Sequence, residues 1–183
     1  MIQRLIVLLA GLVMVVAGGL YVAVRLSLLE PGGTYDVDGL SDEVEIRFDG
    51  TLRPFVNATR LDDTFFAEGW LHARYRLWQM ELLRRAGQGR LAEGLGESLL
   101  SADEGLWRAG VPQLAARLEQ QASAAALASV DAYVAGVNAG LDTYPVAPPE
   151  LLLTGIRPRP WNRSDVFAVG ALIAFQSANN MSK

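Results

Sequence analysis

The sequence contains no cysteine, which excludes disulfides, thiolate catalysis and cysteine-ligated metal sites. Its one histidine, His72, cannot by itself build a His-rich zinc or iron centre. Among 16 basic residues Lys183 is the one lysine, so Schiff-base chemistry has almost no side chain to use. The net charge of −4 argues against a nucleic-acid partner, because such proteins carry a basic stripe. Apolar residues are plentiful: 51% of the 183 residues are hydrophobic and 20% charged, a balance that excludes a disordered chain. This length fits one domain, or a membrane segment followed by a domain of about 150 residues.

Residues 5–24 form an unbroken run of apolar residues and glycine. As a helix the run spans about 30 Å, the thickness of a bilayer's hydrocarbon core. Arg4 and the α-amino group precede it, whereas Arg25, Glu30 and the acidic series Asp36, Asp38, Asp42, Glu43 and Glu45 follow. This predicts a single-pass inner-membrane helix with the body on the periplasmic, exported side, although Arg25 blunts the signal. The rival is a cleavable signal peptide, but its apolar core is normally about 7–15 residues long, and residues 21–25 make a poor cleavage site. The expected organisation is an anchor over 1–26, a linker over 27–42 containing Pro31-Gly32-Gly33, and a body over 43–183.

Residues 43–48 alternate with period two, Asp49-Gly50 follows, and 51–56 is again strand-like, which predicts a β-hairpin. Pro54 confines the second strand to an edge or bulge. Everything beyond reads as helical. Asp62 or Asp63 can cap a long helix ending near Arg85, before Gly87 and Gly89. It carries two opposed apolar stripes: Phe66, Trp70, Ala73, Leu77 and Met80, and then Leu71, Tyr75, Trp78 and Leu82. A surface helix needs one stripe, so this one is either an ordinary central helix or one covered by something outside the chain. Further helices are predicted over 112–122 and 124–141, from Pro148-Pro149-Glu150, and over 165–177 with Ser164 as cap.

No catalytic centre emerges from the residues themselves. His72 has no nucleophile elbow beside it and reads as a structural histidine. The carboxylate pairs Asp62/Asp63 and Asp103/Glu104 read as helix caps, and Arg84, Arg85 and Arg90 as solvated or salt-bridged cations. Gly87-Gln88-Gly89 is too short for a phosphate loop.

The ordered motifs say more. Gly69-Trp70-Leu71-His72-Ala73 precedes Arg76-Leu77-Trp78-Gln79-Met80-Glu81-Leu82, and then come Arg84-Arg85 and Gly89-Arg90-Leu91-Ala92-Glu93. Asp103 and Arg108, Tyr133 with Gly136-Val137-Asn138-Ala139, Pro148-Pro149-Glu150, and Pro158-x-Pro160-Trp161 with Asp165 continue the series. In this order and spacing the chain resembles the penicillin acylase family of N-terminal-nucleophile hydrolases, from about Val44 onward. The resemblance marks His72, Arg76, Trp78, Gln79, Glu81, Arg85, Gly89, Arg90, Glu93, Asn138, Trp161 and Asp165 as signature positions with structural roles.

The resemblance implies an α+β fold. A mostly helical α chain with a short N-terminal hairpin would complete a four-layer αββα architecture together with a partner β chain. It further implies an exported amidohydrolase that removes an acyl group from an amide, as penicillin and N-acyl homoserine lactone acylases do. The nucleophile would be the N-terminal residue of the β chain, cut from the same precursor, so this chain would hold no catalytic residue and be inactive alone. By position only, the resemblance places Ala174, Phe175, Gln176, Ser177 and Ala178 near the acyl pocket; Phe175 reads equally well as core. No cofactor is required. The family's structural calcium is unsupported here, as no acidic residue follows Asp165. The sequence departs from the family at Tyr75, where an acidic residue is common, and at Leu52-Arg53-Pro54, where the family has Gly-x-Pro. The alternative is a membrane-anchored, non-catalytic helical scaffold derived from the same family; a nucleophile-type serine encoded downstream would discriminate the two.

Overall fold

The computed structural model describes residues 2–27 and 32–181. Residues 28–31 of the 27–42 linker, with Glu30 and Pro31, lie outside the described residues, as does Lys183. Helix α1 (Ile2–Ser27) is followed by an extended lead-in and the hairpin β1 (Glu45–Phe48) and β2 (Pro54–Asn57). The helices α2 (Leu61–Gln88), α3 (Ala92–Leu95), α4 (Leu100–Arg108), α5 (Val111–Gln121), α6 (Ala124–Leu141), α7 (Pro149–Thr154) and α8 (Arg163–Met181) complete the chain. Helix α3 has no counterpart in the sequence reading, and α4 only the helix start read at Asp103/Glu104, because Gly94, Gly96 and Gly105 dilute the apolar period there.

The hairpin strands pair antiparallel, Glu45 opposite Asn57 and Phe48 opposite Pro54, so the proline sits at the end of its strand. Asp49 builds the turn: its Oδ1 accepts hydrogen bonds from the backbone N–H groups of Thr51 (2.8 Å) and Arg53 (3.0 Å). Leu52 is the one described non-glycine residue with positive φ, at 60°. That left-handed conformation crowds a β-carbon and suits glycine, the residue of the Gly-x-Pro pattern that this chain lacks. Leu52→Gly is therefore expected to raise stability by about 0.5–1 kcal/mol in denaturant titration, since relief of strain outweighs the added chain entropy. A loss of stability would show that the leucine's side chain contributes more than its backbone costs.

Helix α2 runs through the centre of the body. One stripe meets α6 and α8: Ala73 and Met80 bury with Val137 and Trp161. Phe66, Trp70 and Leu71 bury against Val37, Leu40, Ile46, Phe48 and Val56 of the lead-in and hairpin. Both apolar stripes thus find partial cover within the chain, although Tyr75 stays exposed beside Phe48. Helices α2 and α6 approach backbone to backbone, because a β-carbon on Gly69 would lie 2.1 Å from the Tyr133 carbonyl oxygen and one on Gly136 1.9 Å from that of Phe66.

Arg76 interrupts α2 with φ −134° and ψ 15°. The Tyr144 hydroxyl donates to the carbonyls of Ala73 (3.1 Å) and Arg74 (2.6 Å), inserting a side chain into the helical ladder one turn earlier. Burial pushes that phenol up to about 12, so it stays a donor at every ordinary pH.

The capping assignments need correction. Neither Asp62 nor Asp63 caps α2; the buried Asp63 carboxylate accepts from the N–H groups of Ser41 (2.8 Å) and Asp42 (3.2 Å) instead. Asp103 likewise takes the N–H groups of Leu91 and Ala92, both at 2.8 Å. Asn162, not Ser164, caps α8: its Oδ1 accepts from Asp165 N–H, while Asp165 Oδ2 accepts from Asn162 N–H. A carboxylate at a helix start has three or four backbone donors within reach, and tertiary donors won at Asp63 and Asp103.

Candidate functional site

Three signature stretches converge where the second half of α2 meets α8 and residues 157–162. Glu81 and Asp165 are fully buried, with Arg84 between them. Glu81 accepts from Arg84 through Oε2 and from Arg85 Nε through Oε1 at 2.8 Å. Arg84 Nη1 donates to the Arg159 carbonyl (3.2 Å) and lies 3.6 Å from Asp165 Oδ2, and its guanidinium stacks 5.1 Å over the Trp161 ring. Asp165 Oδ1 receives Arg159 Nη2 (2.9 Å) and Gln88 Nε2 (2.6 Å). Burial holds the Arg84 pKa below the usual guanidinium range, opposed by Glu81 and Asp165. An arginine remains charged even so, and the charge is matched on both sides.

Two arms extend this network. Asn138 Oδ1 accepts from Trp161 N–H (2.7 Å) and its Nδ2 donates to the Trp161 carbonyl (3.0 Å), pinning α6 to the 157–162 segment. Arg85 reaches Glu93 at 3.8 Å, and Glu93 pairs with Arg90 through two 2.6 Å hydrogen bonds. The Arg90 guanidinium holds the Glu93 carboxyl below the usual carboxylate range. Gly89 closes α2 with φ 63°, and its carbonyl accepts from Trp107 Nε1.

The remaining signature residues stand elsewhere. His72 Nδ1 lies 2.9 Å from the Tyr133 hydroxyl, between α2 and α6. Arg76 and Gln79 share an exposed 3.4 Å contact past the kink. Trp78 packs beside Leu77, Leu151 and Ile156. Arg84, Gln88 and Arg159 were absent from the signature positions, although Arg159 sits between Pro158 and Pro160 and Arg84 opens the Arg84-Arg85 pair. Every carboxylate of this network is engaged by arginine, amide or backbone donors, and among the described residues no group of three His, Asp or Glu could hold a metal ion. The network fixes helices; it presents no reactive atom.

Along the last helix, Phe175 is half-buried against the cluster of Val111, Ala115, Ala168, Ala171 and Leu172, while Ala174, Gln176, Ser177 and Ala178 are exposed. A cavity of about 520 Å³ lies instead between the lead-in, the hairpin and α2, lined by Tyr35, Ile46, Phe66, Trp70 and Tyr75 among others. The Arg74 guanidinium stands 4.4 Å from the Tyr35 ring centroid and 4.5 Å from that of Trp70, and donates to the Tyr35 hydroxyl at 2.8 Å.

A helical chain with one hairpin, laced by buried ion pairs, defines a class already represented among solved structures. The fold is similar to that of a thermostable penicillin G acylase from Alcaligenes faecalis, with a TM-score of 0.62, 24% identity and 69% of each chain covered. The penicillin amidase family model matches residues 43–183, and the chain belongs to that family. It is 38% identical over 139 residues to penicillin acylase 2 proenzyme of Pseudomonas sp. (strain SE83), covering 76% of this chain. It is 34% identical over 149 residues to the acyl-homoserine lactone acylase QuiP of Pseudomonas fluorescens (strain Pf0-1), covering 80%. The chain spans 18% of the length of both relatives.

Proposed function

We propose that residues 43–183 are the α-subunit part of an exported amidohydrolase that cleaves an acyl group from an amide. The supporting observation is membership of the penicillin amidase family together with the 38% identity to a protein named a proenzyme, which is by name a precursor. The β chain of the same precursor completes a four-layer αββα core, and its N-terminal residue is the nucleophile. That residue's own α-amine, with an ordinary pKa of about 7.7–8.0, is matched to general-base work near neutral pH. The substrate is a small acylated amide of the penicillin or acyl-homoserine lactone type. The exposed end of α8, from Ala174 to Ala178, faces the acyl pocket in this reading, and the buried Glu81–Arg84–Asp165 network sets the angle at which α8 is delivered there. Helix α1 anchors the chain in the cytoplasmic membrane with the body outside. Among the described residues α1 and α6 are long and apolar enough to span a bilayer, and of these α6 packs on α2.

The test uses the precursor with its own downstream sequence. The purified two-chain complex is expected to release the chromophore from a chromogenic acyl amide. A complex that stays inert although its β chain begins with a mature serine, threonine or cysteine overturns the reading.

A further inference from the structure

We propose that α7 is a second membrane contact, with Leu152 and Leu153 seated in the lipid headgroup layer beside the point where α1 leaves the bilayer. The inference rests on the membrane-spanning reading of α1 and adds the orientation of the body to it. Helix α1 touches α7, and its one buried side chain among those described is Ser27. If the hydrocarbon ends at Val24, Ser27 lies about 4–5 Å further out at 1.5 Å per residue. Ser27 and Val24 are the described side chains of α1 that are taken out of solvent, so the helix meets the body at its C-terminal end. The polar layer on each side of a bilayer is about 5–8 Å deep, which puts that contact at headgroup depth.

The exposed side chains of α7 suit that depth. Leu151 is buried against Leu77 and Ile156 and does the packing for this short helix. Leu152 and Leu153 turn outward at 49% and 80% exposure, and Leu153 is the most exposed large apolar side chain among the described residues. Arg25, on the last turn of α1, and Arg157, two residues past the Gly155 cap of α7, are both exposed. Neither forms an ion pair among the described residues, which leaves both charges available to anionic headgroups; Glu150 at the start of α7 is the opposing charge. Exposed leucines with arginines close by in the sequence, on elements that meet at the end of a membrane helix, suit an interfacial contact.

The cysteine-free sequence makes the test direct. The full chain with its downstream partner, carrying Leu153→Cys labelled with a polarity-sensitive fluorophore, is reconstituted in phosphatidylcholine–phosphatidylglycerol vesicles. Shallow spin-labelled lipid is expected to quench the label about twofold, as for a face buried at the headgroup boundary, while the same label at Leu118→Cys on α5 is unaffected. The complex without an introduced thiol gives the background. Blue-shifted emission without lipid quenching would mean that protein covers the site, and water-like emission that nothing does; either overturns the proposal. Alkaline carbonate extraction is run alongside: a chain that leaves the pellet removes the α1 anchor itself, whereas a pelleted chain with an unquenched label removes the α7 contact alone.

Discussion

Arg84→Met is expected to lower stability by about 3–5 kcal/mol, the range found when one partner of a buried ion pair is removed. The methionine fills most of the volume but leaves Glu81 and Asp165, both fully buried, to share the remaining donors. Glu81 would keep Arg85, and Asp165 would keep Arg159, Gln88 and the Asn162 N–H. Thermal unfolding of the complex should shift down by on the order of 10 °C. Glu81→Leu alone should do comparable harm, whereas the double variant Glu81→Leu with Arg84→Met should recover part of the loss, with a coupling of about 0.5–3 kcal/mol. An unchanged melting temperature for Arg84→Met would mean that the network does not hold α2, α8 and residues 157–162 together.

Gly136→Leu should be about as damaging, by a different mechanism. A β-carbon there would sit 1.9 Å from the Phe66 carbonyl oxygen, so α2 and α6 must separate along the contact that buries Val137 and Ala73. Overpacking on this scale costs about 3 kcal/mol or more, because the obstructing atom is backbone and cannot rotate away. Gly105→Ala on α4 is the matched control, for nothing lies within 4 Å of its added carbon. It should gain up to about 1 kcal/mol from helix propensity. Urea titration of both variants reads the contrast, and equal effects at the two positions would discount the close approach.

The two classes of feature differ in how openly the sequence displayed them. The hairpin was legible because alternation around Asp49-Gly50 is local, and the long helix because its apolar residues recur at helical spacing over 61–88. Helix α6 was legible because its alanine-rich start favours helix; the structure adds a cap that the sequence reading passed over, Ser123, whose Oγ accepts from Ala126 N–H. The carboxylates were not legible. Asp63, Asp103 and Asp165 each stand at a helix start, yet the first two bind N–H groups 11 to 22 residues away. A one-dimensional pattern shows which donors are nearby along the chain, not which segments folding brings past. The family motifs marked Glu81, Asn138, Trp161 and Asp165 without saying that they meet. That follows from the helix crossings alone.

The kink at Arg76 divides α2 into two rods of roughly equal length. The first rod carries the hairpin and the glycine contact with α6; the second carries the ion network and α8. A helix bent at a non-helical residue, with two carbonyls beside the bend shared with a side chain, couples its halves less tightly than a straight one, so the two ends of the body can be separate cooperative units. In hydrogen exchange the amides near Arg76 should be the early-exchanging seam of an otherwise protected helix, with the two flanks opening at different free energies. Tyr144, whose hydroxyl occupies the seam, thereby becomes the residue that decides whether the body unfolds as one piece or as two.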